Sequence, residues 1–473
     1  MHTRLRNFGF MIVGAVAGVL ISLNFQAIAD RATRTSLPIE ELRAFTEVFG
    51  AIKTNYVEPV EDKKLITEAI NGMLTGLDPH SAYLDQEAFR ELQVGTQGEF
   101  GGLGIEVGME DGFVKVVAPI DDTPAARAGI KSGDLIVKLD ETSVKGMTLN
   151  DAVKRMRGKP NTQITLTIVR KGEPKPLVVT LTRSVIKIQS VRSRLLEPGY
   201  AYFRVSQFQE HTGETLARSI EKHFKENQGV MKGIVLDLRN DPGGLLNGAV
   251  AVSAAFLPAG SLVVYTDGRT EDSKMRLNAS PEHYLRGRLK EDFNRRLPAE
   301  IKTVPMVVLV NAGSASASEI VAGALQDHKR AVIMGQPTFG KGSVQTILPL
   351  GNNTAIKLTT ARYFTPNGRS IQAKGIMPDI PLDESSGSDR AALKLRESDL
   401  TKHLTDNNKN KDEEKAKATE AAKQFNFTPA PRPKDIDEKL LKPEPGEIVS
   451  KHDYELNQAV AFLKSRNGIK VAN

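Results

Sequence analysis

The sequence predicts a multidomain α+β protein in which a helical region, a β-rich module and an α/β core precede a polar tail. Near the N-terminus, "PIEELRAFTEVFGAIKTNYV" and "DKKLITEAINGMLTGLD" repeat apolar residues at spacings of three and four, as amphipathic helices do. From Gly101 to Val185, short alternating strands are separated by glycine, proline and asparagine turns. Between Tyr200 and Pro381, apolar strands alternate with helices, which favours a parallel sheet covered on both faces.

The N-terminal residues 1–29 predict an export signal. Arg4 and Arg6 form a basic lead, Phe8 to Leu23 is apolar and uncharged, and "AIA" supplies a small-x-small cleavage site. The alternative is an uncleaved membrane anchor, although the apolar run is shorter than the ~20 residues that span a bilayer. In either case, we expect the rest of the chain to lie outside the cytoplasm.

Composition removes several classes of function. The chain has 473 residues and a formal net charge of +7 with no single basic stripe, so nucleic-acid binding is not expected. It has no cysteine, which excludes a disulfide framework, a thiolate nucleophile and a cysteine-type zinc site. Its eight histidines are scattered without an HExxH motif, so we expect neither a catalytic metal nor any other cofactor.

The sequence predicts the secondary structure of each region in chain order. Residues 36–97 are expected to be helical, and residues 98–186 to form the β-rich module, with one helix in "LNDAVKRMRG" capped by Asn150. In the core, residues 187–384, "GIVLDLR", "SLVVYT", "VPMVVLV" and "AVIMG" are strands, while "LLNGAVAVSAAFL" and "SEIVAGALQDH" are helices. Residues 385–473 contain a charged, proline-rich linker, and Tyr454 to Phe462 predicts a docking helix.

Two loops that follow core strands carry candidate chemistry. In "RNDPGGLL", Gly243 and Gly244 would expose backbone N–H groups before a helix, either as an oxyanion site or as a simple turn. In "NAGSASASEIV", a serine would sit at the start of a helix, and the residues alone do not choose among Ser314, Ser316 and Ser318. The spacing of Ser316 to a glutamate three residues later also fits a capping box.

The third loop, "GQPTFGKGSVQ", nearly matches a phosphate-binding loop. That motif needs a hydroxyl after the lysine and then a helix, whereas Gly342 follows Lys341 and the next residues alternate like strands. The flanking βαβ unit should bring this loop and the serine loop to one sheet edge. A buried lysine can lose its proton and activate a serine. His328 would lie ~15 Å along the helix, too far to be the base.

These loops resemble the carboxyl-terminal processing peptidases, also called tail-specific serine proteases. The matching segments are "GGLGIEVG", "IVLDLRNDPGGLL", "GSASASEIVAGALQD", "GQPTFGKGSVQ" and "ARYFTPNGRSIQAKGIMPD", in family order. The resemblance implies Ser316 as nucleophile, Lys341 as general base and Gln345 as the residue that orients the lysine. It also implies an oxyanion hole formed by the N–H groups of Gly244 and Ala317, in a core similar to the Clp-protease and crotonase folds.

The same resemblance identifies the β-rich module as a PDZ domain inserted before the core. Its loop, Gly101, Gly102, Leu103, Gly104 and Ile105, would hold a substrate's terminal carboxylate, and an edge strand would receive the tail by β-addition. The implied function is an exported, periplasmic or membrane-associated serine endopeptidase that cleaves proteins with apolar C-termini.

The family also implies partners, and two rival functions remain. A homo-oligomer and an adaptor lipoprotein are the implied partner classes, and an uncleaved signal would add membrane association. The first rival is a PDZ scaffold with an inactive core, or a latent protease that a partner activates. The second is an acyltransferase of the β-lactam type, which usually carries S-x-x-K on one helical turn, whereas Ser316 and Lys341 lie on separate loops.

Overall fold

The computed structural model describes residues 37–120, 122–286, 291–382, 395–405, 425, 427–432, 440 and 447–467. The predicted signal and most of the charged linker lie outside these residues. Within them, no helix combines the length and the hydropathy that a bilayer span requires. The chain divides into two compact units after Gly72, and the PDZ-like module and the core both belong to the second unit.

The N-terminal region is mainly helical, as predicted. Its helices are α1 (Ile39–Asn55), α2 (Asp62–Thr75) and α3 (Gln86–Gln97), and Asp85 caps α3 by accepting from the N–H of Ala88. The expectation of helix alone is wrong at β1 (Ala82–Leu84), which pairs with a strand from the far side of the chain. Three residues are too few to show an alternating pattern of their own.

The β-rich module is an antiparallel sheet with two helices. Its strands are β2 (Glu99–Gly102), β3 (Ile105–Glu110), β4 (Phe113–Pro119), β5 (Leu135–Leu139), β6 (Thr142–Ser143), β7 (Gln163–Val169), β8 (Leu177–Thr182) and β9 (Ser184–Lys187), and its helices are α4 (Pro124–Arg127) and α5 (Leu149–Met156). The main sheet runs β3-β4-β5-β7-β8, which leaves β3 at an edge, and β2 pairs with β9 as a separate ribbon. Thr148, not Asn150, caps α5 by accepting from the N–H of Asp151.

The core is built on a six-stranded sheet. Its strands and helices are β10 (Val191–Glu197), β11 (Tyr200–Val205), α6 (Thr212–Glu226), β12 (Gly233–Asp237), α7 (Leu246–Phe256), β15 (Met306–Val310), α9 (Ala317–Asp327), β16 (Val332–Gly335) and β19 (Ile380–Pro381). The order is β10-β11-β12-β15-β16-β19, and every pair from β11 to β19 is parallel. The predicted βαβ unit is therefore confirmed, and the central strands β12 and β15 are fully buried because both faces are covered.

One face of this sheet is covered by α6, α7 and α9, and the other by the last helix, α10 (Tyr454–Asn467). Arg239 ties α10 to the sheet. Its guanidinium lies 2.7 Å from the Asp237 carboxylate, 2.8 Å from that of Asp453 and 2.5 Å from that of Glu455. The second face of the core sheet is thus covered by residues that lie more than two hundred positions after β12.

A second, antiparallel sheet stands beside the first. It contains β13 (Leu262–Gly268), β14 (Arg276–Asn278), β17 (Ser343–Pro349) and β18 (Ala355–Phe364), together with β1, and the short helix α8 (Pro281–Tyr284) follows β14. β17 and β18 form the predicted hairpin, which begins two residues after Lys341. A strand here, where a phosphate-binding loop would need a helix, agrees with the rejection of a nucleotide site.

Candidate functional site

The serine loop leaves the carboxyl end of β15 and delivers Ser316 to the N-terminus of α9. Ser316 has φ 54° and ψ −112°, a backbone conformation that costs on the order of 1–3 kcal/mol in a residue other than glycine. The surrounding structure holds it there, since its N–H donates to the Glu319 carboxylate at 2.8 Å. Strain of this kind is characteristic of exposed nucleophiles at strand-to-helix turns.

The structure separates the three serines that the sequence left equivalent. Ser314 and Ser318 are fully buried, and their hydroxyls donate to main-chain carbonyls of Leu238 and Asp241 at 2.8 and 2.9 Å. Neither hydroxyl is available to a substrate. Ser316 lies between them and is half-buried, so it is the member of the set that a substrate can reach.

The glycine pair of the first loop lies directly against this serine. A Cβ on Gly243 would approach the Cβ of Ser316 to 2.8 Å and the N of Ala317 to 2.9 Å. A Cβ on Gly244, whose φ is 145°, would approach the carbonyl oxygen of Phe208 to 2.1 Å. Glycine is therefore required at both positions, and the close packing makes this loop part of the site rather than a free turn.

Two backbone N–H groups where the glycine loop meets the serine loop are left without an acceptor among the described residues. Among the described residues, no acceptor is bonded to the N–H of Gly244 or of Ala317, the first residue of α9. Such donors can stabilise an oxyanion. The turn that precedes Gly244 is fixed by Asp241, which is buried and accepts from the N–H of Gly243 at 2.8 Å. Burial raises the pKa of Asp241 to about 7.

Glu319 joins the serine loop to the lysine loop. Its fully buried carboxylate accepts from the N–H of Ser316 at 2.8 Å, from that of Gly340 at 2.7 Å and from that of Lys341 at 2.9 Å. The Thr338 hydroxyl donates to it at 2.5 Å. Burial raises the pKa of Glu319 to about 7 in spite of these four donors. One side chain thus fixes the backbone of both predicted catalytic residues.

Tyr363, on β18, makes a second connection between the two loops. Its hydroxyl donates to the main-chain carbonyl of Lys341. Burial raises the pKa of this hydroxyl well above its usual value, the charge of Glu319 raises it further, and the nearby Ser316 side chain opposes the rise. The Tyr363 side chain therefore lies close to both predicted catalytic loops.

The environment of Lys341 lowers the pKa of its amine. Burial lowers the pKa of its amine below 10.5, and the positive charge of Lys357 lowers it further. The carboxylates of Glu397, Glu319 and Asp78 act in the opposite direction. Among the described residues, none accepts a hydrogen bond from the Lys341 amine, so a substrate-side group can occupy that position. A lysine in this setting can act as a base.

Gln345 and His328, the other two core residues that the sequence analysis considered, each have hydrogen-bond partners of their own. The side-chain amide of Gln345 donates to the hydroxyls of Ser343 at 3.0 Å and Thr359 at 3.2 Å, so its predicted role in orienting the lysine stays a prediction. His328 follows the last residue of α9, and its Nε2 contacts the carbonyl of Leu262 at 2.7 Å. Its partner there agrees with its exclusion as the base.

The predicted tail-binding loop begins the β-rich sheet. Gly101 and Gly102 belong to β2 and pair with β9, whereas Leu103 and Gly104 lie between β2 and the edge strand β3, which Ile105 begins. Gly104 has φ 78°, and a Cβ there would lie 2.2 Å from that of Thr123. Outside the strands, no described acceptor is bonded to the N–H groups of Leu103 and Gly104. The loop and the free edge provide N–H donors beside a strand that can accept a peptide.

The sequence had indicated only part of this site. Glu319 was visible as a capping partner, but its contacts with the lysine loop join residues far apart in sequence. The sequence placed Asp241 in a turn and Tyr363 on a strand, and it indicated no role in the site for either residue. Among the described residues, no group of three or more His, Cys, Asp or Glu side chains could hold a metal ion.

Comparisons with known proteins agree with this architecture. Family models match residues 199–382 as "Peptidase family S41", residues 101–181 as "PDZ domain" and residues 11–88 as "Activating protease CtpB N-terminal domain". The chain is 47% identical over 401 residues to a carboxy-terminal-processing protease of Bartonella bacilliformis, covering 83% of this chain and 88% of the relative.

More distant relatives have the same description. The carboxy-terminal processing protease CtpA of Bacillus subtilis is 32% identical over 406 residues, covering 85% of this chain and 81% of the relative. Among solved structures, a photosystem II D1 C-terminal processing protease is 32% identical with a TM-score of 0.40, covering 72% of this chain and 86% of that one.

Proposed function

The chain belongs to peptidase family S41, the carboxy-terminal processing proteases, and we propose that it cleaves proteins through a Ser316–Lys341 dyad after binding their apolar C-terminal tails. Its membership makes it a serine-type peptidase with a PDZ domain. The observation that carries the dyad is the buried Glu319 carboxylate, which accepts from the N–H groups of both Ser316 and Lys341.

The proposed reaction begins with proton transfer from the Ser316 hydroxyl to the neutral amine of Lys341. Ser316 Oγ then attacks the scissile carbonyl, and the N–H groups of Gly244 and Ala317 stabilise the oxyanion. As the C–N bond breaks, the Lys341 ammonium returns the proton to the leaving amine and an acyl-enzyme remains. A water molecule, deprotonated by Lys341, then hydrolyses the ester and regenerates Ser316.

The PDZ domain supplies the proposed recognition step. The N–H groups of Leu103, Gly104 and Ile105 would bind a terminal carboxylate, and the peptide would add to the free edge of β3. Ile105 and Val107 of that strand and Val153 of α5 are partly buried apolar residues packed against the PDZ core, which suits an apolar tail. Gly101 and Gly102 contribute by shaping the approach to the loop through their pairing with β9.

We also propose where and with what the protein works. The basic and apolar N-terminus supports export to the periplasm, with or without removal of the signal. A homo-oligomer and an adaptor lipoprotein remain proposed partners. Separating soluble and membrane fractions, together with N-terminal sequencing of the mature protein, tests export, and light scattering of the purified protein tests oligomerisation.

Cleavage of a folded protein with an apolar C-terminal tail tests the dyad. We expect cleavage by the wild type and none by Ser316→Ala or Lys341→Ala, since one lacks the nucleophile and the other the base. Lys329→Ala is the matched control, because Lys329 is an exposed lysine near the end of α9. Cleavage retained by either dyad variant would contradict the proposal.

The same experiment separates the rival functions. A scaffold or a latent protease would bind the tailed protein without cleaving it, and addition of a partner would start cleavage only in the latent case. Labelling with a fluorophosphonate distinguishes them further, because an assembled nucleophile reacts at Ser316 even without a protein substrate. An acyltransferase would instead transfer the acyl group to an added amine.

A further inference from the structure

Residues 395–405, beyond the region that matches the peptidase family, lie against the loop that carries Lys341. The N–H of Glu397 donates to the carbonyl of Phe339 at 3.1 Å. The guanidinium of Arg396 donates to the carbonyl of Thr338 at 3.2 Å and also to that of Lys374. This segment therefore holds the residues just before Lys341 through two main-chain carbonyls, and a third contact joins it to Lys374.

The side chain of Glu397 is connected through Gln372 to the residue that follows Lys341. Its carboxylate is 1% exposed and lies 2.8 and 3.0 Å from Nε2 of His80. It also accepts from the side-chain amide of Gln372 at 2.8 Å, and the amide oxygen of Gln372 accepts from the N–H of Gly342 at 3.0 Å. Glu397 is thus connected, through one intervening side chain, to the peptide next to the base.

A second path leads from His80 to the predicted orienting glutamine. The N–H of His80 donates to Asp78 at 2.8 Å, and the hydroxyl of Thr359 donates to the same carboxylate at 3.0 Å. Thr359 in turn accepts from the side-chain amide of Gln345 at 3.2 Å. The two paths meet at His80, and they end at Gly342 and at Gln345.

Four charged groups act on the Lys341 amine. Lys357 on β18 repels its ammonium, while Glu397, Glu319 and Asp78 attract it, and His80 contacts Glu397. Burial acts to raise the pKa of Glu397, but hydrogen bonds from His80 and Gln372, with the charges of His80 and Lys341, keep it below 4.5. These hydrogen bonds and positive charges thus favour the charged form of Glu397.

We propose, on the basis of the proposed dyad, that Glu397 is a positioning residue that fixes the loop around Lys341 and whose negative charge holds the proton on its amine. The effect opposes burial and the repulsion from Lys357. A base that takes a proton from serine and returns it to an amine needs an intermediate proton affinity, which opposed influences of this kind provide. The working unit then extends beyond residues 199–382 to include His80 and Glu397.

The test is the pH dependence of kcat/KM for a peptide substrate in Glu397→Gln. Glutamine preserves the size and one acceptor but removes the charge, so we expect the acidic limb of the profile to move to lower pH by ~1 unit. Asp399→Asn is the matched control. Asp399 belongs to the same segment, is exposed, and accepts from the N–H of Arg396 at 2.8 Å. We expect no movement of the limb in that variant.

Glu397→Asp adds a test by conservative replacement. If the negative charge of Glu397 sets the position of the acidic limb of kcat/KM, the limb of Glu397→Asp stays closer to that of the wild type than the limb of Glu397→Gln does. A limb that stays in place, or moves to higher pH, in a folded Glu397→Gln protein would overturn the proposal. Failure of the dyad itself is recognised separately, because the wild type would then show no reaction of Ser316 with a fluorophosphonate.

A double variant decides the case in which Glu397→Gln does not fold. If that failure comes from leaving the Lys341 ammonium buried without its anion, Lys341→Met/Glu397→Gln should fold, as judged by circular dichroism and its thermal midpoint. A double variant that is also unfolded would overturn the proposed coupling, since the loss would then concern Glu397 alone.

Discussion

The PDZ domain and the peptidase core both present backbone N–H groups from glycine-containing loops, but they constrain these loops to different degrees. Gly104 of the PDZ loop packs on Thr123 beside a strand whose outer edge is unpaired. Gly243 and Gly244 of the core pack against Ser316 and Phe208, and the N–H of Gly243 donates to the buried Asp241. The loop proposed to bind a chain end thus lies beside an open strand, whereas the loop proposed to stabilise an oxyanion is packed against buried neighbours.

The same contrast holds for the buried ion pairs of the two domains. In the core, Asp237 is fully buried, its pKa is lowered to about 2 by Arg239 and Arg204 against the effect of burial, and Arg239 also holds α10. In the PDZ domain, Asp134 is buried, but its partner Arg170 is one-fifth exposed. Water can replace part of the second interaction and very little of the first.

Arg239→Met should therefore have the largest effect on stability. It leaves Asp237 buried with fewer partners and releases Glu455 of α10 and Asp453, the residue before that helix. We expect a loss of about 3–5 kcal/mol in the free energy of unfolding of the core. Arg170→Met is the matched change in the PDZ domain, with a smaller expected loss. Urea denaturation followed by circular dichroism measures both, and equal losses would remove the contrast.

Gly244→Ala should have the largest effect on catalysis. A Cβ would collide with the carbonyl of Phe208 and move the N–H that is proposed to bind the oxyanion, so we expect kcat to fall by roughly 100- to 1000-fold. Gly260→Ala is the control, because Gly260 also has positive φ but has open space around it. If Gly244→Ala has a thermal midpoint near that of Gly260→Ala and an unchanged kcat, Gly244 does not contribute to the oxyanion hole.

Gly104→Ala should separate recognition from chemistry. The clash with Thr123 should displace the tail-binding loop, raising KM for a protein with an apolar tail by about tenfold while leaving cleavage of a short peptide unchanged. Gly129→Ala, in the same domain with positive φ and open space, is the matched variant. A parallel decrease in the cleavage of both substrates would indicate that the loop acts on the core instead.

Lys357→Met should produce the smallest change. Removing the positive charge that repels the Lys341 ammonium raises the pKa of Lys341, so the acidic limb of kcat/KM should move to higher pH by a fraction of a unit. The plateau at high pH should stay close to that of the wild type, because the amine is neutral there in both proteins. Movement to lower pH would show that Lys357 acts through structure rather than charge.

The sequence predicted those parts of the molecule that depend on local patterns. Apolar runs such as "VPMVVLV" require burial on both faces, and the parallel βαβ unit that carries Ser316 and Lys341 follows from that requirement. Local patterns did not reveal β1, or the use of Thr148 as a cap. The strand β1 forms only because a distant strand pairs with it. The cap is Thr148 because α5 begins two residues earlier than a cap at Asn150 would require.

The electrostatic setting of the site could not be read from spacing at all. His80 and Glu397 are 317 positions apart, and their contact depends on the folding of everything between them. The sequence likewise gave no reason to prefer Ser316 over Ser314 and Ser318 on physical grounds. The choice becomes physical only when Leu238 and Asp241 are seen to accept hydrogen bonds from its two neighbours.

The place of α10 in chain order has a consequence for synthesis. All six strands of the core sheet precede α10, so the face that this helix covers stays bare until the helix has been made. Because chains are made from the N-terminus, the serine and lysine loops are complete before the second face of their sheet can close.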